Sequence, residues 1–192
     1  MIYVIIGASC SGKTSFIKNT WLVNDKPIEQ KDLIHYTITS NAILLGRYIE
    51  NERICGCDRI SRKNIKDIVE QVRRLVDEYG NEKDIVLDGD RITLSSIMDG
   101  LLSIGNNITM LLITCSQTTS INRNLANGFT NTRFHKAVCT KAMNLFKKYS
   151  DKVDTAKYIF TDNFVVDDFI HFDIKSLKDF KQPDELLPKT LF

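Results

Sequence analysis

Eight residues near the N-terminus constrain this chain more than any other feature. Gly7-Ala8-Ser9-Cys10-Ser11-Gly12-Lys13-Thr14 fits the pattern G-x-x-x-x-G-K-[ST] in full. It follows Ile2-Tyr3-Val4-Ile5-Ile6, a short apolar run that reads as a strand buried on both faces. A helix is expected from about 13 to 22. Strand, glycine turn and helix in this order form a cradle of backbone N–H groups that suits phosphate oxygens. The helix behind the turn adds the positive end of its dipole. The loop and the first residues of the helix, through Ser15, are therefore read as a nucleoside triphosphate site. Lys13 is expected to reach the transferred phosphate as a point charge, and Thr14 to ligate Mg²⁺.

The rest of the chain alternates strands and helices. Residues 33–39 are β-prone, and 42–49 with 53–55 could pair as a hairpin around Glu50-Asn51-Glu52. Apolar residues recur at helical spacing from 62 to 79, ending at Gly80. Ile85-Val86-Leu87 and residues 108–115 read as buried strands, and Lys157-Tyr158-Ile159-Phe160 as a last short one. Helices are expected over 93–104, 118–126 and 134–149. This order predicts an α/β fold: a three-layer, nucleotide-kinase-like P-loop NTPase with a mainly parallel sheet flanked by helices. The site belongs at the carboxyl ends of the strands. Residues 1–163 are read as the domain, and 164–192 as an appendage that mixes apolar and acidic residues without a firm period.

Composition narrows the class. No apolar run reaches the roughly 18 residues of a membrane span, and the N-terminal run lacks the basic leader of a signal peptide. Five cysteines, with Cys55 and Cys57 two apart and no second pair, suggest neither a disulfide framework nor a zinc site. Reduced thiols in a cytoplasmic protein are expected. The formal net charge of +2 argues against a strongly basic binder until it is divided along the chain. Residues 100–150 hold six Lys/Arg and no Asp/Glu, a block of +6 offset by acidic residues elsewhere.

Carboxylates follow the strands. Ile85-Val86-Leu87-Asp88-Gly89-Asp90-Arg91 is a strand running into charge, where Asp88 or Asp90 could hold Mg²⁺ through a water and Arg91 could steady a phosphate. Asp58, in Gly56-Cys57-Asp58-Arg59, could cap the helix that follows or accept a hydroxyl proton from an acceptor. Arg123, Arg133 and Lys136 flank an Asn-rich loop at 127–133, where kinases of this architecture carry a lid that neutralises the transferring phosphoryl group. A GTPase is disfavoured: no Asn-Lys-x-Asp occurs, and Cys115-Ser116-Gln117 stands in its place.

The chain resembles the phage-encoded P-loop kinases of the 5-hydroxymethyluracil DNA kinase family, related to thymidylate-kinase-like enzymes. The resemblance spans roughly residues 1–163. It rests on the phosphate loop, Leu44-Leu45-Gly46-Arg47-Tyr48, Arg53 with Gly56-Cys57-Asp58, Asp88-Gly89-Asp90-Arg91, Arg123, Lys136 and Thr140-Lys141-Ala142-Met143-Asn144-Leu145. Three departures stand out. Lys136-Ala137-Val138 replaces Lys-Gly-Arg, Phe134 stands for a tryptophan, and Asp88 stands where Glu is frequent.

The resemblance implies transfer of the ATP γ-phosphate to the 5-hydroxymethyl oxygen of a pyrimidine in phage DNA, in the host cytoplasm, as a step in base hypermodification. The catalytic set expected on that reading is Lys13, Asp58 (with Asp90 as the alternative base), Arg91, Arg123 and Arg133. Arg47, Asp58, Arg59, Lys136 and Lys141 would bind the acceptor, while Lys147 and Lys148 are further candidates for backbone contacts. Thr14 and Asp88 would hold Mg²⁺. A base inside a duplex cannot reach such a pocket, so the substrate would be flipped or single-stranded. Two other readings stand beside it. One is a kinase for free nucleosides or nucleoside monophosphates, in which the same arginines clamp the acceptor's own phosphate. The other is a nucleotide-dependent switch without an acceptor.

Overall fold

The computed structural model describes residues 1–23, 25–48, 55–80, 82–105, 107–126, 128 and 133–162, the side chains of 133–136 excepted. The expected hairpin turn at 50–52, Arg53, most of the lid loop, the side chains of Arg133 and Lys136, and the 164–192 appendage lie outside the described residues.

Period-2 burial organises the sheet. In β1 (Ile2–Gly7) Ile2, Val4 and Ile6 enter one apolar cluster, while Tyr3 and Ile5 enter a second on the opposite face. Every residue of β1 is buried, as its uninterrupted apolar run requires. The remaining strands are β2 (Ile28–Lys31), β3 (His35–Ile38), β4 (Ala42–Leu45), β5 (Asp84–Asp88), β6 (Ile108–Thr114) and β7 (Thr155–Phe160). They form one sheet in the order β2-β3-β4-β5-β1-β6-β7. β4, β5, β1, β6 and β7 run parallel, while β2 and β3 add an antiparallel edge.

The helices cover both faces, compatible with three layers. α2 (Ile68–Tyr79), α3 (Ser95–Leu102) and α5 (Arg133–Tyr149) bury Ile68, Val72, Met98, Leu101, Phe146 and Tyr149 in the first cluster. α1 (Lys13–Ile17) and the π-helical turn Lys18–Leu22 bury Phe16, Ile17 and Trp21 in the second. Trp21 meets Tyr3 edge-on at 5.1 Å between ring centroids. α4 (Gln117–Ala126) follows β6.

Two expectations are corrected. The helix expected over 13–22 loses regular α geometry after Ile17, and the one expected over 62–79 begins as a 3-10 segment at 62–67. Ser61 caps that segment, its Oγ accepting the Lys63 N–H at 3.4 Å. The turn of the hairpin expected from 42–49 and 53–55, and most of its second arm, lie outside the described residues; beside them Arg47 and Gly56 form an antiparallel bridge. β2 had no sequence signal: all four of its residues are exposed, so it has no buried alternation to read.

β1 lies between β5 and β6, with Ile5 opposite Asp88 and Gly7 opposite Ile113. The segments leaving these three strands, 7–14, 88–91 and 115–117, therefore gather at one edge of the sheet.

Candidate active site

The loop after β1 is held from outside by a second helix. Ser120, Arg123 and Asn124 lie one turn apart on α4, so they share a face. Ser120 Oγ donates to Ser9 O at 2.8 Å, Arg123 donates to Cys10 O at 3.4 Å, and Asn124 Oδ1 accepts the Cys10 thiol at 2.9 Å. Thr161, just past β7, donates to Ser11 O at 2.8 Å and receives two contacts from Arg123, at Oγ1 (3.1 Å) and O (2.9 Å). The loop conformation is thus braced by groups far away in sequence. Ser9, Cys10, Gly12, Thr14 and Ser15 are half-buried at its surface, while Gly7, Ala8 and Ser11 are buried beneath. The Ser11 hydroxyl is buried and finds no hydrogen-bond partner among the described residues.

Lys13 lies over its own loop, donating to Ala8 O at 2.6 Å and Gly7 O at 3.3 Å. A phosphate oxygen is a stronger acceptor than either carbonyl, because its hydrogen bond to an ammonium is charge-assisted on both sides.

Opposite the loop, two segments interlock. The 3-10 turn Cys57–Arg59 and the loop after β5 each supply a carboxylate that occupies space vacated by a glycine of the other. Gly56 sits at φ 63°, and a Cβ there would fall 1.8 Å from Asp88 Oδ1. Gly89 sits at φ 114°, and a Cβ there would fall 2.6 Å from Asp58 Oδ1. Both positions need glycine twice over, for the backbone conformation and for the close approach.

The two carboxylates differ sharply. Asp58 Oδ1 accepts the backbone N–H of Asp90 (2.9 Å) and of Arg91 (3.2 Å), and among the described residues no hydrogen bond reaches Oδ2. The expectation that Asp58 might cap the following helix is not met, since Ser61 does that and Asp58 binds another segment. Burial raises the Asp58 pKa; the Lys13 charge and the two backbone N–H groups pull it back, and the Asp90 charge raises it again. Asp58 stays half-buried, so it can meet a substrate.

Asp88 is only 2% exposed. Its Oδ1 accepts the phenolic O–H of Tyr48 in a short contact, and the Cys57 backbone N–H also bonds the carboxylate. Burial pushes its pKa up to about 7, against the downward pull of the Tyr48 hydrogen bond, with the Asp58 charge adding to the rise and Lys13 opposing it. Burial, and then the Asp88 charge, raise the phenol of Tyr48 and the thiol of Cys57 well above their ordinary values.

The raised pKa of Asp88 has a consequence for stability. The native state keeps a proton on Asp88 that the unfolded chain releases near pH 4, so between about pH 4 and 7 the native state binds more protons. Stability therefore falls as pH rises through that window and levels off above it, with about 4 kcal/mol as the ceiling. Asp88→Asn keeps an acceptor for Tyr48 and removes the charge. In chelator-treated protein we expect its urea-unfolding free energy to be nearly flat between pH 5 and 8, while the wild type loses stability over the same range. Parallel pH profiles for the two proteins would contradict the assignment.

The other sequence-predicted residues fall into place unevenly. Asp90 is ion-paired with Lys141, which reaches both Asp90 Oδ1 (3.2 Å) and its backbone carbonyl (3.1 Å). Arg91 is half-buried beside Asp58, and its guanidinium makes no hydrogen bond or ion pair among the described residues. Arg59 is exposed at the end of its turn. Arg47 is turned to Glu29 on β2 at 3.3 Å, with its Nε buried and unpartnered. Tyr48, Ser120, Asn124 and Thr161 join the site without having been expected there. The polar stripe Ser120/Arg123/Asn124 was a readable signal; the position of Thr161 was not.

The oxygen donors present fit a hard divalent cation. Mg²⁺ retains waters and is held largely through substrate phosphates, needing only one or two protein oxygens; the half-buried Thr14 hydroxyl would supply one, while Asp88, enclosed and bonded to Tyr48, would supply another only after releasing its proton. Among the described residues no three His, Cys, Asp or Glu side chains form a metal-binding group, and no helix is long and apolar enough to cross a membrane. The chain matches no protein-family model and no curated protein sequence.

Proposed function

We propose that this protein is an ATP-dependent kinase whose acceptor is an alcohol, the 5-hydroxymethyl group of 5-hydroxymethyluracil in DNA. One observation carries the kinase reading: a braced G-x-x-x-x-G-K-T loop shares the sheet edge with a half-buried aspartate that has one oxygen tied down and the other open. The DNA base as acceptor rests on the family resemblance and on the carboxylate-free basic block at 100–150.

On this reading the loop amides and Lys13 hold the β- and γ-phosphates. Mg²⁺, held by Thr14 and Asp88, would neutralise charge on the phosphate oxygens. Asp58 Oδ2 accepts the hydroxyl proton as the acceptor oxygen bonds to the γ-phosphorus and the bond to the bridging oxygen of ADP breaks. Backbone N–H bonds to Oδ1 fix the orientation of that carboxylate. Arg91 has the exposure and the uncommitted guanidinium to meet the developing charge. Arg123 supports the loop through Cys10 O and Thr161, and acts on the phosphates through that brace. Asp90 is engaged by Lys141 and is therefore less available to an acceptor hydroxyl than Asp58.

Labelled ATP separates the readings. We expect label in DNA containing 5-hydroxymethyluracil and none in ordinary DNA. Label only in free nucleosides or monophosphates would replace the DNA substrate by a small molecule, and ATP hydrolysis without any labelled acceptor would favour a switch.

A further inference from the structure

A groove of about 580 Å³ lies between the start of α3 and the middle of α5. Thr93, Ser95, Thr140, Lys141, Asn144 and Lys148 supply its polar lining, over Leu94 and Leu145. No carboxylate lines it. Asp90 is paired with the groove residue Lys141, and Asp99 accepts the O–H of Tyr149, next to Lys148, at 2.7 Å. We infer that this groove holds the phosphodiester backbone of the acceptor strand next to the nucleotide being phosphorylated, an inference that rests on the kinase reading above.

Spacing along α5 favours a strand over a single phosphate. Lys141 and Lys148 are seven residues apart, or about 10 Å along a helix axis. That separation is wider than a single phosphate group and lets the two lysines address different phosphates of one strand. Thr140, Lys141, Asn144 and Lys148 recur at helical spacing, so they form one stripe facing the groove. Lys147, on the same turn, is exposed but is not among the lining residues.

The two groove lysines are also held in place. Lys148 Nζ donates to Ser95 Oγ at 3.0 Å and lies 5.0 Å over the Tyr149 ring, whose hydroxyl donates to Ser95 O at 3.2 Å. Lys141 reaches Asp90, which precedes Arg91 at the active site. One end of the stripe is therefore joined to the reaction centre and the other leads away from it. Hydroxyl and amide side chains between two cations are the usual partners of backbone phosphate, and they read no base.

The test is binding of a fluorescent single-stranded oligonucleotide by anisotropy across a salt series, with the full-length protein and no ATP. Lys148→Glu should weaken binding about 10-fold and lower the salt slope by about 1, with an unchanged KM for ATP. Lys147→Glu, one residue away and outside the groove, should do much less. Lys148→Ala, checked by thermal melting, guards against misfolding and should move binding in the same direction. Equal losses for Lys147→Glu and Lys148→Glu would overturn the groove in favour of diffuse attraction. So would Lys148-dependent binding of a mononucleotide with no binding of the oligonucleotide. A protein that binds the oligonucleotide through Lys148 yet labels no acceptor supports the groove and removes the kinase reading, so the two fail separately.

Discussion

Lys13→Ala should lower phosphoryl transfer about 10³-fold, a loss of about 4 kcal/mol in transition-state stabilisation. The size follows from where the ammonium sits: half-buried, bonded to two carbonyls of the loop it belongs to. Truncation also removes the positive charge that opposes ionisation penalties at Asp58 and Asp88. A second effect is then expected. The acidic limb of the rate profile should move to higher pH in Lys13→Ala, because Asp58 loses a countercharge and is harder to ionise. Folding should survive with some loss of stability, since Lys13 is half-buried and the carbonyls it leaves behind belong to the buried Gly7 and Ala8. Steady-state kinetics with a thermal melt checks all three points. A variant with unimpaired turnover would remove the loop from the chemistry.

Asp58→Asn should cost about 10²- to 10⁴-fold in kcat, the usual range for a positioned general base. Asparagine retains Oδ1, so the two backbone N–H bonds from Asp90 and Arg91 can persist and the interlocked loops should stay in register. Loss of rate without loss of fold is therefore the expected outcome. The pH profile supplies the finer discrimination. In the wild type the rate rises with pH as Asp58 ionises, at a pKa above the ordinary aspartate value because the group is buried. In Asp58→Asn that limb should vanish. A variant that is slow but keeps the same acidic limb would assign the base to another carboxylate, and Asp90 would be the next to replace.

Legibility varied along the chain for physical reasons. Strands buried on both faces, such as β1 and β6, announce themselves because nearly every position is apolar, Thr109 and Thr114 being the exceptions in β6. β2 did not, because an exposed edge strand is stabilised chiefly by backbone pairing with β3 and carries no buried alternation in its side chains. Cys57-Asp58-Arg59 was read as the approach to a helix, and capping was a fair alternative on local grounds. Only contact with Asp90 and Arg91, more than thirty residues away, shows that its carboxylate serves another segment. Asp88 looked equivalent to Asp90 as a strand-end acid. Burial separates them, enclosing Asp88 with Tyr48 while Asp90 stays near the surface with Lys141.

By itself the sequence determined the α/β alternation, the phosphate-loop motif and the uneven charge that concentrates cations between 100 and 150. These depend on local order: periodicity, turn residues and short spacing act within a few turns of chain. Tertiary structure alone decided which carboxylate is open and which is enclosed, which arginine is uncommitted, and which lysines share a groove. Those distinctions arise where β5, β1 and β6 come together, because a parallel sheet brings loops far apart in sequence to a single edge. There Gly56 and Gly89 permit contacts that no side chain would allow, and desolvation gives chemically identical aspartates different pKa values.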